Sequence, residues 1–201
     1  MCYKYRLLMN EFERSGLRLF SSFLPAFLAF VLLAGPVFPA GKGRAEPSAA
    51  LLQVGAADRI QLDGILDEPF WARTRPIGDL TMVEPDEGAI PSERTEVRVS
   101  AGASALHIGI MCYDSLPDRI VSYTMQRDAE LRREDHIKIV FDTFLNGRTG
   151  YIFAVNPNGA RYDALIEKEG ERENKQWDGI WEAAVHRSEL GWSAEITIPV
   201  K

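Results

Sequence analysis

The chain is poor in cysteine and histidine, which removes several chemistries at once. Its 201 residues contain two cysteines, Cys2 and Cys112, and three histidines, His107, His136 and His186. They are scattered singly, so no Cys/His cluster is available to hold a transition metal, and no HExxH or GxSxG motif is present. Cys112 stands in the apolar run IGIMCY and reads as a small buried hydrophobe. One remaining thiol cannot build a disulfide framework. Haem has no CxxCH to attach to. Of the possible axial ligands Met111, His107, Met125 and His136, the first two lie four residues apart on one strand. They face the same way and cannot take opposite sides of one macrocycle, so no haem is expected.

Long apolar runs are also scarce. The principal one, FLPAFLAFVLLA (23–34), is twelve residues long. A membrane-spanning helix needs about 20. It follows a stretch in which Lys4, Arg6, Arg14 and Arg18 outnumber Glu11 and Glu13, and it precedes the small-residue and proline segment GPVFPAGKGRAEPSAA. This is the order of a secretory signal peptide. The boundary is expected after Ala45, with Ala40 as the second choice, and Met9 is an alternative start. Residues 46–57 then read as a linker and 58–201 as the folded domain. The first 45 residues carry six basic and two acidic side chains, so their removal takes the net charge from −6 to −10. Such a surface repels phosphate backbones and excludes nucleic acid as a partner.

Full amphipathic helical stripes are missing as well. EPFWART (68–74) and DAELRRED (128–135) are the only short helix candidates. What is present has period two. TEVRVSA (95–101) puts Val97 and Val99 on one face, with Glu96 and Arg98 on the other. LHIGIMCY (106–113) follows across a short turn. HIKIVFD (136–142) aligns Ile137, Ile139 and Phe141. YIFAV meets RYDALI across NPNG, and IWEAAVHR meets WSAEITIP across SELG. Seven or eight short antiparallel strands separated by turn residues imply an all-β, jelly-roll-like β-sandwich. The longest irregular segment, 167–179, is highly charged and reads as a functional or mobile loop.

Six motifs occur in order: LDGILDEPFW, TEVRV with the LHIGIMCYD strand, RDAELRREDHIKIVFDTF, YIFAVNPNGARYDA, QWDGIWEAA and GWSAEITIP. This series, covering 58–199, resembles the family 9 carbohydrate-binding module found at the N-terminus of large bacterial exported and outer-membrane proteins. The resemblance implies a two-sheet β-sandwich that binds poly- or oligosaccharide without catalysing, often beside glycoside hydrolase domains, and structural calcium. It also implies an exported, periplasmic or outer-membrane-associated location. In sugar-binding members a stacking tryptophan lies shortly before the acidic residue that opens the central strand. Arg132 or Arg133 occupies that place here, and the second stacking tryptophan of those members falls beyond Lys201.

The residues themselves add detail. Asp63-Gly64 reads as a tight turn, Asp67 as the cap of the turn that follows, and Phe70 and Trp71 as a plug at one end of the sandwich. Carboxylates at strand ends can converge on a calcium ion, which takes six to eight oxygens. Asp135 and Asp142 are the foremost candidates, with Asp114, Asp163 and Asp178 near other strand ends. Three of four tryptophans lie in QWDGIWEAAVHRSELGW (176–192). Trp181 and Trp192 open strands and read as core. Trp177 falls on the polar segment and, with Arg132, Arg133, Asn174 and Gln176, forms the expected sugar-binding edge. Glycosidic hydrolysis needs two carboxylates at a defined separation, one with a raised pKa, and spacing alone shows no such pair. The expectation is therefore an exported, non-catalytic carbohydrate-binding module serving glycan catabolism. The alternative is a docking domain ahead of a C-terminal outer-membrane barrel.

Overall fold

The computed structural model describes residues 52–55, 58, 60–78, 80–82, 86–167 and 172–200. The signal-peptide reading of 1–45 lies outside them. Among the described residues no helix is long and apolar enough to cross a membrane.

Alternating residues produce alternating faces, and two sheets result. The first comprises β1 (Leu52–Gln53), β2 (Thr95–Ala101), β3 (Ala105–Tyr113), β8 (Glu182–Ser188) and β9 (Gly191–Pro199), in the order β1-β2-β3-β9-β8. The second comprises β4 (Ile137–Phe141), β5 (Gly150–Val155), β6 (Arg161–Glu167) and β7 (Arg172–Asn174), in sequence order. All neighbours are antiparallel except β1, which runs parallel to β2. β1 lies within the stretch read as linker. The chain leaves the first sheet after β3, crosses to the second through 114–136, and returns through 175–181.

The inward residues of both sheets make the main core. Val97, Val99, Ile108, Ile110, Ala194 and Ile196 meet Ile139, Phe153 and Val155, closed by Trp181 and Trp192. Packing of this kind is expected for two sheets about 10 Å apart. Both opening tryptophans of the β8–β9 hairpin are therefore core, as their strand positions imply. A second cluster covers the outer face of the second sheet, where Leu131 lies on Ile152, Ala154, Tyr162 and Ala164.

The LDGILDEPFW segment differs from its sequence reading. Phe70 and Trp71 fall in α1 (Pro69–Arg73), but they do not plug an end of the sandwich. The Trp71 indole lies on the outer face of the first sheet, over Gly109, where a Cβ would stand 3.1 Å from the ring. Its Nε1–H donates to Glu195 Oε1 at 2.9 Å, and the Asp63 and Gly64 amides donate to Glu195 Oε2 at 3.0 and 2.9 Å. Burial pushes the Glu195 carboxyl above its ordinary range, and the negative charge of Glu68 adds to the effect; the three donors oppose it. Gly64 has φ +87°, and a Cβ there would stand 2.4 Å from the Val185 carbonyl carbon. Only glycine allows the segment so close to β8. The N-cap of α1 is Glu68, without a side-chain cap bond, and not Asp67.

Two further expectations are corrected. Residues 128–135 form turns instead of a helix, with Asp128 at φ 61°. Within the stretch read as a loop, residues 172–174 form β7, which pairs with β6 from Leu165↔Asn174 to Glu167↔Arg172. On the face of β2 opposite Val97 and Val99, Glu96 is buried and holds Arg94 and Arg98 in ion pairs, the latter at 3.0 Å.

Candidate binding site

The residues expected to form a sugar-binding edge are not brought together. The Trp177 indole is half-buried, with its ring centroid 5.0 Å from Tyr151 and edge-on to Phe153 at 5.9 Å. It borders the main core on the inner face of the second sheet, so the polar segment carrying it does have a packing use for an indole. Asn174 is spent locally: its Oδ1 accepts the Gln176 amide at 3.1 Å and its Nδ2 donates to Glu167 at 3.4 Å. The Gln176 side chain is exposed. Arg132 and Arg133 are also exposed, and Arg132 pairs with Glu130 at 3.4 Å. Glu130 also meets Lys175, whose ammonium lies over the Tyr162 ring on the outer face of that sheet. Residues 151 and 153 face inward while 162 faces outward. Arg132 and Trp177 therefore stand on opposite sides of one sheet.

The carboxylates fit calcium poorly. Asp135 precedes β4 and Asp142 follows it. Seven residues of extended chain separate them by about 23 Å, too far to share an ion. Asp135 Oδ2 accepts the Val121 amide at 2.7 Å. Asp142 accepts the Gly147 and Asn146 amides at 2.7 and 3.2 Å, and these donors, Gly147 first, hold its pKa below the ordinary value. Asp163 and Asp178 converge on the Arg127 guanidinium instead of a metal, with the Asp163 bond at 2.8 Å. The buried Asp163 also takes the Gly179 amide at 2.6 Å and Trp181 Nε1–H at 3.0 Å, which fixes the return crossing. Asp114 accepts the Leu116 amide at 2.7 Å. Among the described residues no group of three or more His, Cys, Asp or Glu side chains is placed to hold a metal.

A cleft of about 260 Å³ opens at one end of the sandwich. It lies where β2 and β9 begin, β3 ends and β4 begins, so the first crossing forms one of its walls. Its apolar lining includes Cys112, Leu116, Ile120, Ile137 and Trp192. Around it stand Tyr113, Ser115, Arg119, Asp135 and His136. The Tyr113 ring is backed by the Arg94 guanidinium, 5.4 Å from its centroid. Ser115 donates to Glu93 at 2.6 Å. His136 Nδ1 is 2.8 Å from the Glu134 carbonyl, so that nitrogen carries the proton. Of the site residues expected from sequence, Asp135 and the secondary carboxylate candidate Asp114 line this cleft. Tyr113 and Arg119 were not distinguished by their local sequence. The available signal was an aromatic at a strand end, followed by the turn-rich DSLPDR.

Above the cleft the first crossing is clamped by Glu134, a buried carboxylate. Its oxygens accept the Tyr123 amide at 2.8 Å, the Thr124 amide at 3.2 Å, Asn156 Nδ2–H at 2.8 Å and the Ser122 hydroxyl at 3.3 Å. Burial pushes its pKa up, but these donors outweigh burial and hold it below the ordinary value.

No protein-family model matches the chain, and no curated protein does. Among solved structures it is similar to a family 9 carbohydrate binding module from Caldicellulosiruptor kristjanssonii in complex with cellotriose. The TM-score is 0.49 at 14% identity, covering 75% of this chain and 67% of that one. A family 9 module from the same organism in complex with glucose is similar at TM-score 0.49 and 13% identity, covering 76% of this chain and 69% of that one.

Proposed function

We propose that this chain binds carbohydrate without catalysing its cleavage, and that the cleft beside Tyr113 and Arg119 receives the sugar. The observation that carries the reading is the composition of that cleft. A pyranose has an apolar C–H face and a rim of hydroxyls. Ile137 and Trp192 offer apolar contact, Tyr113 offers a ring braced by Arg94, and Arg119, Ser115 and Asp135 offer hydrogen bonds. The six ordered sequence motifs, which resemble a sugar-binding family, support the same reading.

Catalysis finds no support in the arrangement of carboxylates. A glycosidic acid needs a raised pKa and access to the scissile oxygen. Among the described residues, the carboxyl held above its ordinary range, Glu195, is sealed beneath Trp71 with both oxygens engaged. The basic and then apolar leader of residues 1–45 supports an exported location, where glycans are met. A docking role ahead of an outer-membrane barrel predicts the opposite behaviour, with no glycan retained.

The test is calorimetric titration of the folded chain with glucose, mannose, galactose and xylose and their di- and trisaccharides. Binding of at least one series is expected, with Arg119→Ala weakening it about tenfold, as loss of one charge-assisted hydrogen bond does. A folded chain that retains no glycan in the panel overturns the proposal.

A further inference from the structure

Tyr123 is an aromatic residue without a packing use: the residue is 74% exposed, and Met125, two positions on, 78%. A tyrosine so exposed contributes little hydrophobic stabilisation, yet the backbone beneath it is heavily anchored. The Tyr123 and Thr124 amides both end on the buried Glu134 carboxylate. The Thr124 carbonyl accepts Asn156 Nδ2–H at 2.9 Å, and the Ser122 carbonyl accepts Asn158 Nδ2–H at 3.2 Å. Asn156 is itself fully buried, and its Oδ1 accepts the Asn158 and Ala160 amides at 3.0 and 2.8 Å. A rigid backbone thus presents a flat, amphipathic ring to solvent. That combination lowers the ordering cost of binding.

Position decides what the ring is for. Val121 and Asp135 exchange two hydrogen bonds at 2.7 and 2.8 Å, and Asp135 lines the cleft. The crossing therefore leads directly from the cleft wall to Tyr123, two residues on. At about 3.3 Å per extended residue this is roughly 7 Å, the scale of one further sugar ring. Hydrogen-bonding groups accompany it: Asn158 is bonded to the Ser122 carbonyl, and Arg187 Nη2 donates to Asn158 Oδ1 at 3.1 Å.

We infer that Tyr123 forms a second, stacking subsite next to the cleft, with Asn158 and Arg187 as its hydrogen-bonding partners, so that the site takes an oligosaccharide. This rests on the carbohydrate-binding reading above. The cleft holds one ring and Tyr123 stacks on the next, which makes oligomer length the property that this residue controls.

The experiment compares the affinities of the wild-type chain, Tyr123→Ala and Tyr123→Phe for glucose and cellotriose, or for the matching pair of whichever series the wild type binds. The expected wild-type preference for the trisaccharide is on the order of tenfold, the yield of one aromatic contact. Tyr123→Ala should reduce that preference to about twofold or less while leaving monosaccharide affinity unchanged, and Tyr123→Phe should retain it. The alanine variant should melt with the wild type, because the side chain is exposed. A trisaccharide preference that survives in Tyr123→Ala overturns this inference while leaving the cleft standing. A wild type that binds no sugar overturns both.

Discussion

Replacing Trp177 with alanine distinguishes a ligand-facing indole from a packing one. The ring is half-buried against Tyr151 and Phe153 and belongs to the margin of the main core. Truncating a fully buried tryptophan costs about 3–5 kcal/mol. Half that burial, together with removal of the indole from its two aromatic neighbours, gives about 2–3 kcal/mol. For a urea m-value of about 2 kcal/mol/M, the midpoint should fall by about 1–1.5 M with the slope unchanged. The assay is urea unfolding of the full chain followed by circular dichroism, alongside the glycan titration. Gly179 supplies an independent check. A Cβ there would stand 2.8 Å from the Trp177 ring and 3.3 Å from that of Phe153, so Gly179→Ala should displace the indole and destabilise in the same direction. If Trp177→Ala left the midpoint within about 0.2 M of wild type yet abolished glycan binding, the packing argument would fail. Trp177 would then be a ligand residue, as its polar sequence context suggests.

Two further outcomes probe the clamps that hold the loops. Gly64→Ala should cost more than about 3 kcal/mol in urea unfolding, because a left-handed backbone penalty of about 1–2 kcal/mol is joined by collision with Val185 and loss of the Glu195 bonds. Gly147→Ala, at φ +65° with nothing within 4 Å, should show the backbone penalty alone; equal losses at the two sites would refute the close-approach argument. For Glu134, the folded carboxyl is held below its ordinary value of 4.5, so its stabilisation is present above pH 4.5 and is lost as pH falls through the folded pKa. Glu134→Gln should therefore be less stable than wild type at pH 7, and the two urea midpoints should converge as pH falls below 4.5 and through the folded pKa. A stability gap independent of pH would show that the carboxylate charge is not what holds Tyr123 and Thr124.

Strand order along the chain was legible because half-buried strands repeat every second residue. TEVRVSA matches β2, and the RYDALI and WSAEITIP runs fall on β6 and β9. β7 was not legible: Arg172–Asn174 has no apolar alternation and is held by pairing with β6 and by Tyr162 and Lys138 on Glu173. Nor could 128–135 be resolved, since the same residues that favour a helix are used there to place Leu131 on the second sheet and Glu134 beneath Tyr123. The outer-face roles of Trp71 and Glu96 were hidden as well. Period two says which residues share a face, but not what covers that face.

By itself the sequence determined an all-β chain, its hairpins and the core placement of Trp181 and Trp192. The tertiary structure alone decided where a ligand could bind. The cleft joins residues near 93, 113, 119, 136 and 192, which come from both sheets and the crossing between them. Likewise, Tyr123 gains its rigidity from Glu134 and Asn156, 11 and 33 positions further along the chain. Local periodicity carries no information about such meetings, because they depend on which strand ends the two sheets bring together.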